Sequence, residues 1–319
     1  MTDAVGASTP FEPVSMKLRE TDPQAFAQAL GDSFQRYGFG VVADHGLDQT
    51  VIDTALEKAR AFFAMSDAEK RSYHIAGGGG QRGYIPFGQE IAKGFDAIDL
   101  KEFWHIGREL PPGHPYSDVM PPNVDVDKIA NWHQASYAMY DALDALGGQI
   151  LASIATYLGI EENWFADTVR DGNSVLRLLH YPAQTEPPPE GSVRAAEHGD
   201  INVITLLLGA EEGGLEVKDR DGTWLPINPP PNCIVVNMGD MLERLTNNYL
   251  PSTLHRVVNP KPERARFARY STPFFLHFRP DFLIETLDSC ISDDTPNAYP
   301  EPITANDFLM QRLREINLI

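Results

Sequence analysis

The chain has 319 residues, 42% hydrophobic and 22% charged, a globular composition with enough apolar mass for a sizeable core. Its net charge is −19, from 45 acidic and 26 basic residues, which argues against a nucleic-acid partner because phosphate binding needs clustered Lys and Arg. No apolar run approaches the roughly 20 residues of a membrane span, and residues 1–13 lack the basic start and apolar stretch of a signal peptide.

The first half reads as mixed and helix-rich. Asp22-Pro23 is an N-cap and first-turn pair, Phe26, Leu30 and Phe34 then share one face, and Gly38 is a stop. A short strand over 40–43 precedes Asp44-His45-Gly46, and a second helix is expected over 49–65. Residues 77–80 are four glycines, a loop without the Gly-Lys-Ser/Thr that would make it a phosphate cradle. The longest helical pattern spans 129–158, where Met139, Leu143, Leu146, Ile150 and Ile154 recur at three- and four-residue steps and Gly147-Gly148 weaken it locally.

After Gly172 the texture changes to short β-rich runs over 174–181, 202–208, 215–218, 223–227, 233–238, 253–259 and 267–278. Asp221-Gly222 is a hairpin signal, and the Pro-rich pieces 186–191 and 229–232 read as loops between strands. Many short strands with Gly/Pro loops indicate a β-sandwich or closed barrel. A last helix over 305–317 is capped by Thr304. Cys233 and Cys290 make no disulfide framework; Cys233, in Cys233-Ile234-Val235-Val236, reads as a buried thiol, which suits a reducing cytoplasm.

His198-Gly199-Asp200 puts two metal-capable side chains at i and i+2, which point the same way on a strand. His255, in Leu254-His255-Arg256-Val257-Val258, offers a third from an apolar strand. Two imidazoles and one carboxylate are the donors of an iron(II) site that keeps positions open for oxygen. Composition alone predicts about one His with an acid two residues on. The pair by itself is therefore equally compatible with a polar strand edge and a hydrogen-bonded core histidine.

The surrounding order of motifs decides between them. His198-Gly199-Asp200-Ile201-Asn202-Val203-Ile204-Thr205, then Gly213-Gly214-Leu215, Val236-Asn237-Met238-Gly239-Asp240, Ser252-Thr253-Leu254-His255-Arg256-Val257 and Arg269-Tyr270-Ser271 follow one another. With Gly38-Phe39-Gly40, Asp44-His45-Gly46, Gly83-Tyr84 and Lys101-Glu102 upstream, the series resembles the isopenicillin N synthase-like branch of the 2-oxoglutarate/iron(II) oxygenase superfamily, from about residue 10 to residue 280. The resemblance implies a double-stranded β-helix (jelly roll), mainly β with flanking helices. One integrated unit is expected: a mixed α/β region over 1–165, the jelly-roll core over 166–280 and a helical extension over 281–319. It implies Fe(II) on His198, Asp200 and His255, with 2-oxoglutarate as cosubstrate and O2 as oxidant. Arg269-x-Ser271 matches the family's anchor for the distal carboxylate, a task that suits a bidentate guanidinium. Where the branch often carries Asn-Tyr-Tyr-Pro, this chain has Leu179-His180-Tyr181-Pro182, keeping Tyr181 and replacing the Asn by Leu179.

The resemblance implies an oxygenase acting on a small molecule, with hydroxylation the leading outcome and desaturation or ring closure open to the same site. Members that use no 2-oxoglutarate keep the Arg-x-Ser pair for their substrate's own carboxylate, so a same-fold oxidase or cyclase stays open, as does a non-catalytic metal-binding jelly roll. Tyr84, Phe87, Phe103, His180, Phe275 and His277 are candidate pocket residues, each also readable as plain core. His45 reads as a turn residue, and His74, His114 and His133 lie in polar or loop contexts. There is no HExxH and no GxSxG, and no Rossmann GxGxxG follows a strand.

Overall fold

The computed structural model describes residues 10–89, 98–208 and 213–315. In chain order the elements are β1 (Val14–Ser15), α1 (Met16–Thr21), α2 (Pro23–Tyr37), β2 (Phe39–Ala43), α3 (Gln49–Phe63), α4 (Asp67–Arg71), β3 (Gly83–Ile85), β4 (Glu102–Gly107), α5 (Trp132–Tyr157) and α6 (Trp164–Val169). They continue with β5 (Val175–Tyr181), β6 (Ala195–His198), β7 (Ile204–Leu208), β8 (Leu215–Lys218), β9 (Trp224–Pro226), β10 (Cys233–Met238), α7 (Asp240–Leu245), β11 (His255–Val257), β12 (Arg269–Leu276), β13 (Leu283–Ile284), β14 (Ile303–Thr304) and α8 (Ala305–Glu315). Among the described residues no helix is long and apolar enough to cross a membrane.

Local chemistry sets the helix ends. The Asp22 carboxylate accepts from the Ala25 N–H at 3.0 Å with Pro23 in the first turn, and Gly38 stops α2 at φ 68°. Thr304 Oγ1 accepts from the Asp307 N–H at 3.1 Å at the start of α8, as its sequence predicts; the last two residues of the expected helix lie outside the described residues. The expected weak point in α5 is instead a contact point. The helix runs unbroken, and a Cβ on Gly147 would fall 2.4 Å from Leu276 Cδ1, so the glycine lets α5 close on β12.

Two sheets make the jelly roll. The larger has the order β1-β2-β10-β7-β12-β5-β4-β3 and the smaller β6-β11-β8-β9. Side-chain alternation splits the larger sheet into two faces. Val42, Ile234, Val236, Leu206, Phe274, Leu276, Leu176, Leu178 and Trp104 pack on the helices in the main core. Phe39, Val41, Cys233 and Val235 face the small sheet's Ala195, Leu215, Val217 and Val257 in a second core. β2, β3 and β4 come from the first half of the chain yet belong to the same sheet as the later strands. β4 escapes pattern reading because its six residues are buried on both faces and show no polar alternation.

On the helix face, α4 meets β4 through a buried ion pair. Lys70 Nζ lies 2.8 Å from Glu102 Oε2, and Glu102 also accepts from the Tyr84 hydroxyl and pairs with His180 Nδ1 at 2.7 Å. Removing one partner of a buried pair leaves the other charge desolvated and uncompensated. Lys70→Met is expected to cost about 3 kcal/mol, read as a lower urea midpoint at unchanged m-value; a midpoint equal to wild type would refute the coupling.

Candidate metal centre and cavity

β6 and β11 pair antiparallel with His198 directly opposite His255, so two histidines distant in sequence become cross-strand neighbours. Their ring centroids are 4.4 Å apart. The side chain of Asp200, two residues past His198, joins them, and one ligand atom from each of the three lies within 4.8 Å of the others. His198 Nδ1 meets the Ala196 carbonyl at 2.7 Å and His255 Nδ1 the Thr253 carbonyl at 3.3 Å, which fixes each Nδ1 as donor and leaves Nε2 as the lone-pair nitrogen. His255 Nε2 is 3.9 Å from Asp200 Oδ1. Asp200 Oδ2 accepts from the Thr205 hydroxyl at 2.5 Å and the Asn237 amide at 2.8 Å. Thr205 and Asn237 face each other in the β10–β7 register, so the larger sheet aims the carboxylate while the smaller one aims the imidazoles.

Electrostatics leave this cluster ready for a cation. Burial first, then the neighbouring His255, pull His198 down to about 4, so its imidazole is neutral near pH 7. Burial disfavours the Asp200 carboxylate, yet His255, His198 and the bonds from Asn237 and Thr205 outweigh it and hold the group below the usual carboxylate range. A neutral His198 imidazole beside the ionised Asp200 carboxylate suits Fe(II). This is the one such cluster among the described residues.

Arg269 and Ser271 are buried on β12, where Arg269 pairs in register with Tyr181 and Ser271 with Leu179. The Arg269 guanidinium sits 5.0 Å from the Tyr181 ring centroid. Arg194, which pattern reading does not single out, is fully buried with its guanidinium 5.7 Å from the same ring; nothing in its local sequence marks it. Leu179 packs with Ile85, Phe103 and Tyr181, an apolar patch where the family often carries an amide.

A cavity of about 860 Å³ opens on His198 and Asp200. Of the expected pocket residues, Phe103, Phe275 and His277 line it, as do the glycine loop 77–80 and, from α8, Leu309, Arg312 and Leu313. Tyr84 and His180 do not. They lie on the helix face, where Tyr84 bonds Glu102 and His180 stacks on Tyr270 at 4.8 Å. Strand parity is the reason: His180 adjoins Tyr181, so the two cannot share a face. Phe87 is 43% exposed and outside the cavity lining. His45 accepts from the Leu47 N–H in a turn, while His114 and His133 meet Asp171 and Glu109. His74 lies in the loop between α4 and β3, where it borders the cavity and meets the Tyr84 carbonyl at 2.9 Å.

Two facing sheets with a His-Asp-His cluster between them define a jelly roll with a candidate metal site. Comparison with known proteins narrows the class. The family model described as the 2OG-Fe(II) oxygenase superfamily matches residues 172–278, and that of the non-haem dioxygenase N-terminal region in morphine synthesis matches 12–128. A 2OG-Fe(II) oxygenase family protein from Caulobacter crescentus superposes with a TM-score of 0.90 at 58% identity, over 97% of this chain and 100% of that one. A full-length Neurospora crassa protein, solved in complex with alpha-KG and thymine, superposes with a TM-score of 0.84 at 29% identity, over 98% and 99%. A 2-oxoglutarate-Fe(II) type oxidoreductase of Emericella nidulans is 31% identical over 291 residues, 88% of this chain and 82% of the relative. The chain belongs to the 2-oxoglutarate/Fe(II) oxygenase superfamily, in its isopenicillin N synthase-like branch, and is a 2-oxoglutarate- and Fe(II)-dependent dioxygenase.

Burial holds His277 down at about 4, against roughly 6.5 in an unfolded chain. Its folded value is depressed, so its contribution to stability is complete above about pH 6.5 and is lost as pH falls from there towards 4. Metal-free wild type is expected to lose stability across that window, and His277→Phe, which binds no proton, to lose less. Urea midpoints against pH check this; parallel curves would refute it.

Proposed function

We propose that His198, Asp200 and His255 hold the Fe(II), that Arg269, Ser271 and Tyr181 hold the distal carboxylate of 2-oxoglutarate, and that the enzyme hydroxylates a small organic molecule. The gathering of one ligand atom from each of two imidazoles and a carboxylate within 4.8 Å of one another carries this reading. When bound, Fe(II), 2-oxoglutarate and O2 supply the oxidising power, converting 2-oxoglutarate to succinate and carbon dioxide as the substrate gains oxygen.

The chain's own contribution is positional. Thr205 and Asn237 occupy Asp200 Oδ2, and the carbonyls of Ala196 and Thr253 fix the two imidazoles. Such outer partners set ligand orientation and basicity. The Arg269 fork matches a carboxylate in its own plane, and Arg194 beside the same tyrosine adds positive potential. With Leu179 apolar, the grip on 2-oxoglutarate rests on Arg269, Ser271 and Tyr181. Phe103 and Phe275 keep that side of the cavity dry. A thymine complex of a structural relative supports a small-molecule substrate, and two free cysteines suit a reducing cytoplasm. Net acidity argues against a nucleic-acid partner.

His198→Ala is expected to abolish stoichiometric Fe(II) uptake under nitrogen; undiminished uptake would remove His198 from the site. Thr205→Val and Asn237→Leu should each weaken metal affinity by about 10–100-fold, read by competition with a chelating dye. Arg269→Leu should raise the apparent KM for 2-oxoglutarate by about 30-fold, the equivalent of about 2 kcal/mol, in an assay of succinate release. An unchanged KM would move the anchor elsewhere.

A further inference from the structure

The protein is strongly acidic, yet part of its cavity wall is cationic. The acids lining the cavity have partners of their own. Asp99 pairs with Lys101 at 2.8 Å, Asp240 and Glu315 with Arg312 at 3.1 and 2.8 Å, and Glu197 with Lys218 at 3.4 Å, while Asp200 belongs to the metal cluster.

Arg82 is different. It lines the cavity and is 3% exposed, with its guanidinium so close over Gly107 that a Cβ there would fall 2.0 Å from Cζ. Its hydrogen-bond partners are neutral: Nη2 donates to Asn173 Oδ1 at 3.2 Å and Nη1 to the Gln81 carbonyl at 2.8 Å. Its Nε has no partner among the described residues. Burial without an anion draws its pKa down to about 10. A buried cation in such surroundings is costly unless something anionic completes it.

His277 lines the same cavity, is 7% exposed, and its Nδ1 likewise has no partner among the described residues. Between them in the sheet, Arg177 on β5 donates from Nε to His105 Nε2 at 2.6 Å, and His105 Nδ1 donates to the Gly80 carbonyl at 2.6 Å. The Arg177 guanidinium lies 4.1 Å from the Phe103 ring centroid and 5.0 Å from that of Phe275, which hold it in place.

We propose that Arg82, Arg177 and His277 form a substrate-anchoring pole that takes a carboxylate group of the small-molecule substrate. Planar guanidinium donors match a carboxylate's two oxygens, and Phe103, Phe275 and Ile85 receive the apolar remainder. This rests on the iron and 2-oxoglutarate reading above, since it places the substrate in the cavity that opens on His198 and Asp200.

The test is calorimetric titration of the anaerobic enzyme loaded with Fe(II) and saturating 2-oxoglutarate, so that Arg269 is already engaged. The probes are matched acid and amide pairs: benzoate and benzamide, phenylacetate and phenylacetamide, hexanoate and hexanamide. In at least one pair the acid is expected to bind about tenfold or more tightly, a difference of about 1.4 kcal/mol. That preference should vanish in Arg177→Gln and persist in Arg177→Lys. Arg82 is too buried for its replacement to be informative alone, so His277→Phe serves as the second variant, with near-UV circular dichroism checking the fold. Acid and amide binding alike in every pair, or binding in none, overturns the proposal. So does an acid preference that survives both Arg177→Gln and His277→Phe. Oxygen-dependent succinate release by the same wild-type preparation separates the two readings. Its absence sinks the iron and 2-oxoglutarate reading, whereas its presence without acid preference sinks the pole alone.

Discussion

A carboxylate tied to one sheet meets two imidazoles tied to the other, and the fold is arranged around that meeting. His198 and His255 are opposite one another in the β6–β11 ladder, and Asp200 is bonded to Thr205 and Asn237, which are opposite one another in the β7–β10 ladder. The chain between β6 and β7 must therefore cross from the small sheet to the large one within a few residues. It does so by bonding to the chain after β10: Gly239 N–H to the Val203 carbonyl, Asp240 N–H to that of Asp200 and Met241 N–H to that of Asn202, at 2.9, 2.8 and 3.1 Å. A Cβ on Gly239 would fall 2.1 Å from the Asn202 carbonyl oxygen, so the crossing admits only glycine there. The motif after β10 is thus explained by backbone packing around the cluster as much as by its chemistry.

Period-two alternation then divides the work of the large sheet. Neighbouring residues serve different faces: Lys101 pairs with Asp99 on the cavity side, while Glu102 pairs with Lys70 on the helix side. Tyr181 and His180 divide in the same way. The helix face is thereby fastened by a buried ionic network and the α5 contact, which leaves the cavity face rigidly backed. A site built on strands held this way keeps its geometry without spending binding energy on reorganisation.

Charge placement follows the same logic. The acids that line the cavity are paired with cations or belong to the His198-Asp200-His255 cluster, whereas the buried Arg82 guanidinium sits among neutral partners. In a chain with 45 acidic residues such a cation is conspicuous, because a purely structural role would be met by one of many available carboxylates.

Much of this was legible in the chain. Strand-rich texture after Gly172, the i and i+2 spacing of His198 and Asp200, and the Arg269-Ser271 pair are local features, and local features survive in sequence. So do caps such as Asp22 and hairpins such as Asp221-Gly222, where β8 turns into β9. Folding alone settled which face each residue meets and which distant residues share it. β4 was silent because burial on both faces erases alternation, and with it went the network of Glu102, His180 and Tyr84. Arg82, Arg177 and Arg194 look like ordinary surface arginines in sequence, since nothing local records that a cavity or a neighbouring strand will close over them. Spacing along the chain determines which side chains can point together; register between strands determines which ones do.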